Sequence, residues 1–227
     1  MAQLVLRYAK AILRTASERG HTVDEVIFRL RPPRYEEKPI RALTWDEVDT
    51  IASWLPESIR RIAPVAAATG LRQGELLDLR NADVDLETAT LTVRRSKTSA
   101  GVRRVDLPDV AVRLLREQVL ARPVGTDLVF SAPDGARFDR HTFMSRYWRP
   151  AVKRAELEGT TFHTLRHTYI SLMASAGVHV SVIAELVGHD DGGALILTRY
   201  RHLFPGETRR AADALDALVA GTESATG

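Results

Sequence analysis

Residues 161–168 read Thr161-Phe162-His163-Thr164-Leu165-Arg166-His167-Thr168, and the chain is read outward from this stretch. From Phe162 the residues Leu165, Tyr169, Leu172 and Met173 recur at helical spacing until Gly177, which predicts one helix with those four on its buried side. Residues three and four apart share a helix face, so His163, Arg166 and His167 come off the same helix. That face would be cationic and rich in donors. A guanidinium offers a planar fork that fits phosphate or carboxylate oxygens, and an imidazole donates a hydrogen bond or moves a proton near neutral pH. Taken alone, the motif also fits an ordinary solvated helix surface. His163 and His167 have the spacing of a zinc-binding helix, but the glutamate of H-E-x-x-H is missing and Arg166 would repel a cation, so no metal is expected.

Composition narrows the class. With 227 residues and 44% hydrophobic content, the chain can build one sizeable globular domain with a small appendage. No run approaches the roughly 18 apolar residues of a membrane span, and the first residues lack a secretory layout, which together point to the cytoplasm. There is no cysteine, so disulfides, thiolate metal ligands and a thiol nucleophile are excluded, and covalent chemistry would need another side chain. Lysine occurs only at positions 10, 38, 97 and 153, so 28 of the 32 basic residues are arginine. A net charge of +3 and a pI near 9.4 suit contact with phosphates. They also set Lys97 apart in a chain that otherwise chooses arginine.

In chain order, residues 3–19 read as an amphipathic helix ending at Gly20, and 21–39, broken by Pro32-Pro33 and a charged run, as a linker. A domain opens at Leu43-Thr44-Trp45-Asp46-Glu47, where Thr44 and Glu47 form a capping box ahead of Val48, Ile51, Ala52 and Leu55. A helix over 57–68 stops at Gly70, and a short one over 75–79 leaves Arg72 near a helix N-terminus, an end that favours an anion. From Val84 to Leu107 the period becomes alternating, predicting three antiparallel strands over 83–86, 90–94 and 102–107, with Lys97 at a polar hairpin tip. Pro108 opens a helix over 109–120. A further helix is predicted over 140–156, with Phe143, Tyr147, Trp148 and Val152 as a core stripe. After the central helix, 180–187 form another that stops at Gly188, so His189 lies just past a C-terminus, where a histidine can simply cap. Residues 194–200 resume helix, and 207–218 form an amphipathic terminal helix that either packs internally or grips a neighbouring protomer. A polar tail, 221–227, is expected to be disordered.

Several boxes therefore stand in order: Arg72 in A-T-G-L-R-Q-G-E-L, Lys97 in R-R-S-K-T, His163 and Arg166 in the central helix, His189 in L-V-G-H-D and Tyr200 in T-R-Y-R-H-L. This arrangement resembles the tyrosine recombinases, the phage integrases and their relatives, over about Leu43 to Ala220. The resemblance implies an α+β fold, mainly helical with a small three-stranded antiparallel sheet. It further implies a remnant of an N-terminal core-binding helical domain plus linker over 1–40, a catalytic domain over 41–220 and the tail. Two departures stand out. There is room for little more than the last helix of a core-binding domain, and Tyr200 follows His189 by eleven positions, slightly more than is usual, which Gly192-Gly193 can absorb.

By the same resemblance, Tyr200 would attack a DNA phosphate to give a 3′-phosphotyrosyl link and a 5′-hydroxyl. Arg72 and Arg166 would hold the non-bridging oxygens, His163 would assist proton transfer at the tyrosine, His189 would hydrogen-bond the phosphate and Lys97 would protonate the departing oxygen. The result would be site-specific recombination without metal, cofactor or ATP. Double-stranded DNA would be the partner, bound by a homo-oligomer that is a tetramer in the synapse and a monomer when free, with accessory DNA-bending proteins. Two rivals stay open: DNA relaxation of the type IB topoisomerase kind, and a truncated, non-catalytic DNA-binding regulator.

Overall fold

The computed structural model describes residues 2–32, 41–94, 102–189, 191–201, 212–213 and 215–216. The chain divides into two compact units, 1–39 and 40–227. In the first, helix α1 (Ala2–Glu18) ends at Gly20, whose left-handed φ of +86° turns the chain out of the helix. The stretch read as linker holds a one-turn helix α2 (Val26–Arg29). Lys10 fixes it to α1 by donating from Nζ to the carbonyls of Phe28 at 2.7 Å and Leu30 at 2.6 Å.

The second unit is built around α4 (Ile62–Thr69), every residue of which is buried. Such a helix cannot lie at a surface, and its alanines let α3 (Trp45–Ser53), α6 (Asp109–Ala121) and α9 (Phe162–Ser175) approach closely. The Thr44–Glu47 capping box forms as expected and directs Val48, Ile51 and Ala52 inward. The helix expected over 57–68 is broken, with a 3₁₀ turn at Glu57–Ile59 before α4. Helix α5 runs Gln73–Leu77, starting directly after Arg72.

The sheet is antiparallel in the order β1 (Val84–Asp85), β2 (Thr90–Val93), β3 (Arg103–Asp106). Leu91 faces Val105 and Val93 faces Arg103 across the β2–β3 register, so Arg103 shares the inward face with Val105. The helix expected over 140–156 becomes α7 (Arg140–Phe143), a π-helical turn (Met144–Trp148) and α8 (Arg149–Arg154). Pro150 has no N–H to continue the α ladder, and the hydrogen bonds change register just ahead of it. Phe143, Trp148 and Val152 are nonetheless buried, with Trp148 edge-on to Phe162 of α9 at 4.9 Å. On α9 the expected inward set is partly wrong: Leu172 is exposed, and Arg166 and Ile170 are inside instead.

The second unit continues through α10 (Val180–Val187) and α11 (Ala194–Tyr200). Gly192 and Gly193 both take positive φ between them, and Asp191 accepts from the Gly193 and Leu195 amides at the start of α11. Lys97, the linker over 33–39 and the tail over 221–227 lie outside the described residues. Of the terminal helix only 212–213 and 215–216 are described, and they are helical. No helix of the described residues is long and apolar enough to cross a membrane.

Candidate active site

Three guanidinium groups from three elements meet the C-terminal end of α10. Arg103 on β3 donates from Nε to the carbonyl of Leu186 at 2.8 Å. Arg166 on α9 donates to Val187 at 2.5 Å and, from its other terminal nitrogen, to Gly70 at 2.8 Å. Arg72, the residue before α5, donates to Gly188 at 2.9 Å. The last carbonyls of a helix have no partner within it and carry the negative end of its dipole, so successive residues 186, 187 and 188 offer one cationic cluster a row of acceptors. Gly188 closes the helix at a φ of +66°. His189 follows, its amide donating back to Ala184 at 2.8 Å.

One carboxylate offsets this charge. Glu75 accepts from Arg72 Nη1 at 2.9 Å, from the Arg72 amide at 2.9 Å and from both terminal nitrogens of Arg103 at 3.3 Å. Burial alone would raise its pKa, but the charge and hydrogen bonds of Arg103, with those of Arg72, outweigh it and hold Glu75 below its ordinary value. The Arg103 and Glu75 side chains are 7% and 5% exposed, so this pair is effectively internal.

Arg166 is 2% exposed, so the alternative of an ordinary solvated helix surface does not hold at this residue. Burial first, and the nearby charge of Arg72 second, lower its pKa to about 9, against the opposing charge of Glu75. His163 is lowered by burial and then by Arg166, Arg72, Arg199 and His189, so the charges of the expected site residues converge on one place.

Tyr200 ends α11 and is 2% exposed, packed in a second core cluster with Tyr169, Ile183, Val187 and Ile196. Burial pushes its hydroxyl above the ordinary tyrosine value. Its hydroxyl is hydrogen-bonded to Nδ1 of His167, and the His167 ring lies against that of His163 with centroids 4.5 Å apart. The imidazole at the tyrosine is thus His167 rather than His163. Burial, then His163, Arg199 and Arg166, lower the pKa of His167 to about 4.

The structure therefore brings Arg72, His163, Arg166, His189 and Tyr200 into one region, while Lys97 lies outside the described residues. Sequence reading left out three members. His167 was visible in the motif but was given no role. Glu75 was legible as the residue three past Arg72, a capping position. Arg103 could be told from Arg104 only by the two-residue period that it shares with Val105. Among the described residues no group of three or more histidines and carboxylates could hold a metal ion.

This arrangement offers a pair of arginines, imidazoles and a hydroxyl, a set able to stabilise charge on a phosphoryl group and to supply a nucleophile. The phage integrase family model matches residues 41–207. The integrase of Salmonella phage P22 is 29% identical over 226 residues, covering 94% of this chain and 56% of its own length. A putative prophage phiRv2 integrase of Mycobacterium tuberculosis is 30% identical, covering 81% of this chain and 53% of its own length. The chain thus spans about half the length of these curated relatives. Among solved structures, that of the XerA recombinase superposes with a TM-score of 0.62 at 26% identity, covering 84% of this chain and 71% of that one. The integrase of transposon Tn1549, in complex with a circular intermediate DNA, shares the fold with a TM-score of 0.78 at 19% identity, covering 94% of this chain and 78% of that one. With the family match spanning most of the chain, the protein belongs to the phage integrase family of tyrosine recombinases.

Proposed function

We propose that this chain cuts and rejoins double-stranded DNA at specific sites through a covalent link to Tyr200, needing neither metal nor ATP. The observation that carries the reading is the convergence of Arg72, Arg166 and the imidazole pair His163/His167 with a tyrosine hydroxyl. Arg72 and Arg166 hold the non-bridging oxygens of the scissile phosphate, exchanging carbonyl acceptors for anionic ones. A charged acceptor gives the stronger hydrogen bond, so the phosphate competes well. The imidazole pair handles the proton at the tyrosine, and His189 hydrogen-bonds the phosphate. Lys97 protonates the departing 5′-oxygen. In support, the connection that carries it enters β3 at Arg103, whose guanidinium belongs to the arginine cluster.

Residues 41–220 form the catalytic domain, and 1–40 a helical segment of core-binding type with its linker. The relatives matched are integrases and tyrosine recombinases, which supports recombination over DNA relaxation or mere regulation. Two neighbours in the fold, the Tn1549 and lambda integrases, were solved on DNA, the lambda enzyme as a dimer on a core site. This supports DNA as the partner and assembly of several copies on it. We extend the proposal to a tetramer at synapsis, to accessory DNA-bending proteins and to a cytoplasmic reaction.

The test is covalent trapping. Wild type and Tyr200→Phe are incubated with nicked fragments of the DNA flanking the coding element, denatured, and the protein-linked strands sequenced. An adduct that disappears with Tyr200→Phe is expected and would reveal the site. DNA binding without an adduct from either protein would sink the enzymatic reading.

A further inference from the structure

We propose that His167 is the general base that takes the proton of Tyr200. This deepens the recombinase reading and rests on it. Among the described residues, His167 is the hydrogen-bond partner of the Tyr200 hydroxyl. A buried phenol that merely accepted would leave its own O–H unsatisfied, at a cost of about 1–3 kcal/mol. The hydroxyl therefore donates to Nδ1, and the His167 proton sits on Nε2. The acceptor is already in hydrogen-bond contact with the proton it must remove, the first requirement of a general base.

The groups facing His167 are His163 and Arg166 on α9 and Arg199 and Tyr200 on α11. Without DNA, burial first, then His163, Arg199 and Arg166, keep the imidazole neutral and weakly basic, at about 4. A phosphodiester on Arg72 and Arg166 introduces a negative charge into the same region, which favours an imidazolium. In the step itself, the Tyr200 Oη–H bond breaks and its proton moves to Nδ1 while Oη bonds to phosphorus. The P–O5′ bond breaks, and O5′ takes a proton from Lys97. On religation the imidazolium returns its proton to Oη. A nucleophile kept protonated in a core until its target arrives has little chance to react elsewhere.

The experiment uses the nicked duplex recovered by the trapping assay, in ordinary form and with sulfur replacing the bridging 5′-oxygen, together with imidazole as an added base. With His167→Ala, adduct formation should slow about 10²–10⁴-fold, the usual worth of a general base. The sulfur-bridged duplex should not restore the rate, because its good leaving group removes the need for the acid and not for the base; added imidazole should. Nitrogen NMR of the full chain should show His167 Nδ1 unprotonated, and the acid limb of the wild-type rate should lie above the pH at which His167 titrates without DNA. If His167→Ala forms adduct as fast as wild type, or faster, while Tyr200→Phe forms none, the base assignment is overturned and the recombinase reading survives. If wild type itself forms no adduct, both fall. A His167→Ala protein that is slow because it is misfolded would show a collapsed thermal transition and no imidazole rescue, and failure of rescue in a folded variant also overturns the assignment.

Discussion

Replacing Gly70 by alanine tests whether the first arginine box is a backbone requirement. Gly70 ends α4 at a φ of +66°, a left-handed conformation. For a residue with a Cβ this conformation costs about 1–2 kcal/mol. An added Cβ would also stand 2.5 Å from Cδ1 of Tyr169 and 3.0 Å from Cε1 and Cγ, well inside the ~3.5–4.0 Å of a relaxed carbon contact. The ring has little freedom to retreat, because Tyr169 belongs to the second core cluster. Overpacking of this kind costs about 1–3 kcal/mol, and the stiffer unfolded chain returns about 0.4–1 kcal/mol. The balance is a loss of about 1–4 kcal/mol, or very roughly 3–12 °C in Tm for a domain of this size. Gly125→Ala supplies the control, since that glycine also has positive φ, +86°, but nothing within 4 Å of the added Cβ. Thermal unfolding of both variants by circular dichroism isolates the ring clash, and Tyr169→Ala should relieve it in the Gly70→Ala background. A Gly70→Ala loss no larger than that of Gly125→Ala would refute the reasoning. The Gly70 carbonyl accepts from Arg166, so adduct formation should fall further than stability alone accounts for.

Four further predictions concern the site. Arg103→Met strips Glu75 of one of its two guanidinium partners and should cost about 3 kcal/mol by urea unfolding. The Arg103→Met/Glu75→Gln double variant should cost less than the sum by about 1 kcal/mol or more, and strict additivity would show the pair to be uncoupled. Because the folded Glu75 pKa is depressed, its stabilisation is present above the ordinary carboxylate value and lost as pH falls through the depressed one, so Glu75→Gln should flatten the acid limb of stability. His167 titrates from 6.5 unfolded down to about 4 folded. In that window the unfolded state binds more protons and stability rises with pH, so His167→Gln should make the slope between pH 6.5 and 4 shallower. The slope should not vanish, because His163 is shifted in the same direction. Tyr200→Phe should lose only about 1 kcal/mol, one hydrogen bond, so that its lost cleavage cannot be ascribed to unfolding; a collapsed melting transition would contradict this.

The class of the domain and the order of its boxes can be read from local signals along the chain. Capping at Thr44 and Glu47, alternation in 84–107 and helical spacing after Phe162 are local signals, because hydrogen bonds and side-chain periods within a few residues produce them. The glycines at 70 and 188 were legible as helix ends for the same reason. Tertiary structure alone decided which side chain meets which. Nothing local says that Arg166 leaves the surface, since its burial depends on carbonyls of Gly70 and Val187 supplied from 96 and 21 residues away. Nothing local chooses His167 over His163 for the tyrosine, because both lie on one helix face and the choice is made by where α11 delivers Tyr200. The role of Glu75 likewise emerges only when β3 brings Arg103 beside it. A helix fixes the angular order of its side chains, but their partners are fixed by the packing of distant elements, which the local sequence does not encode.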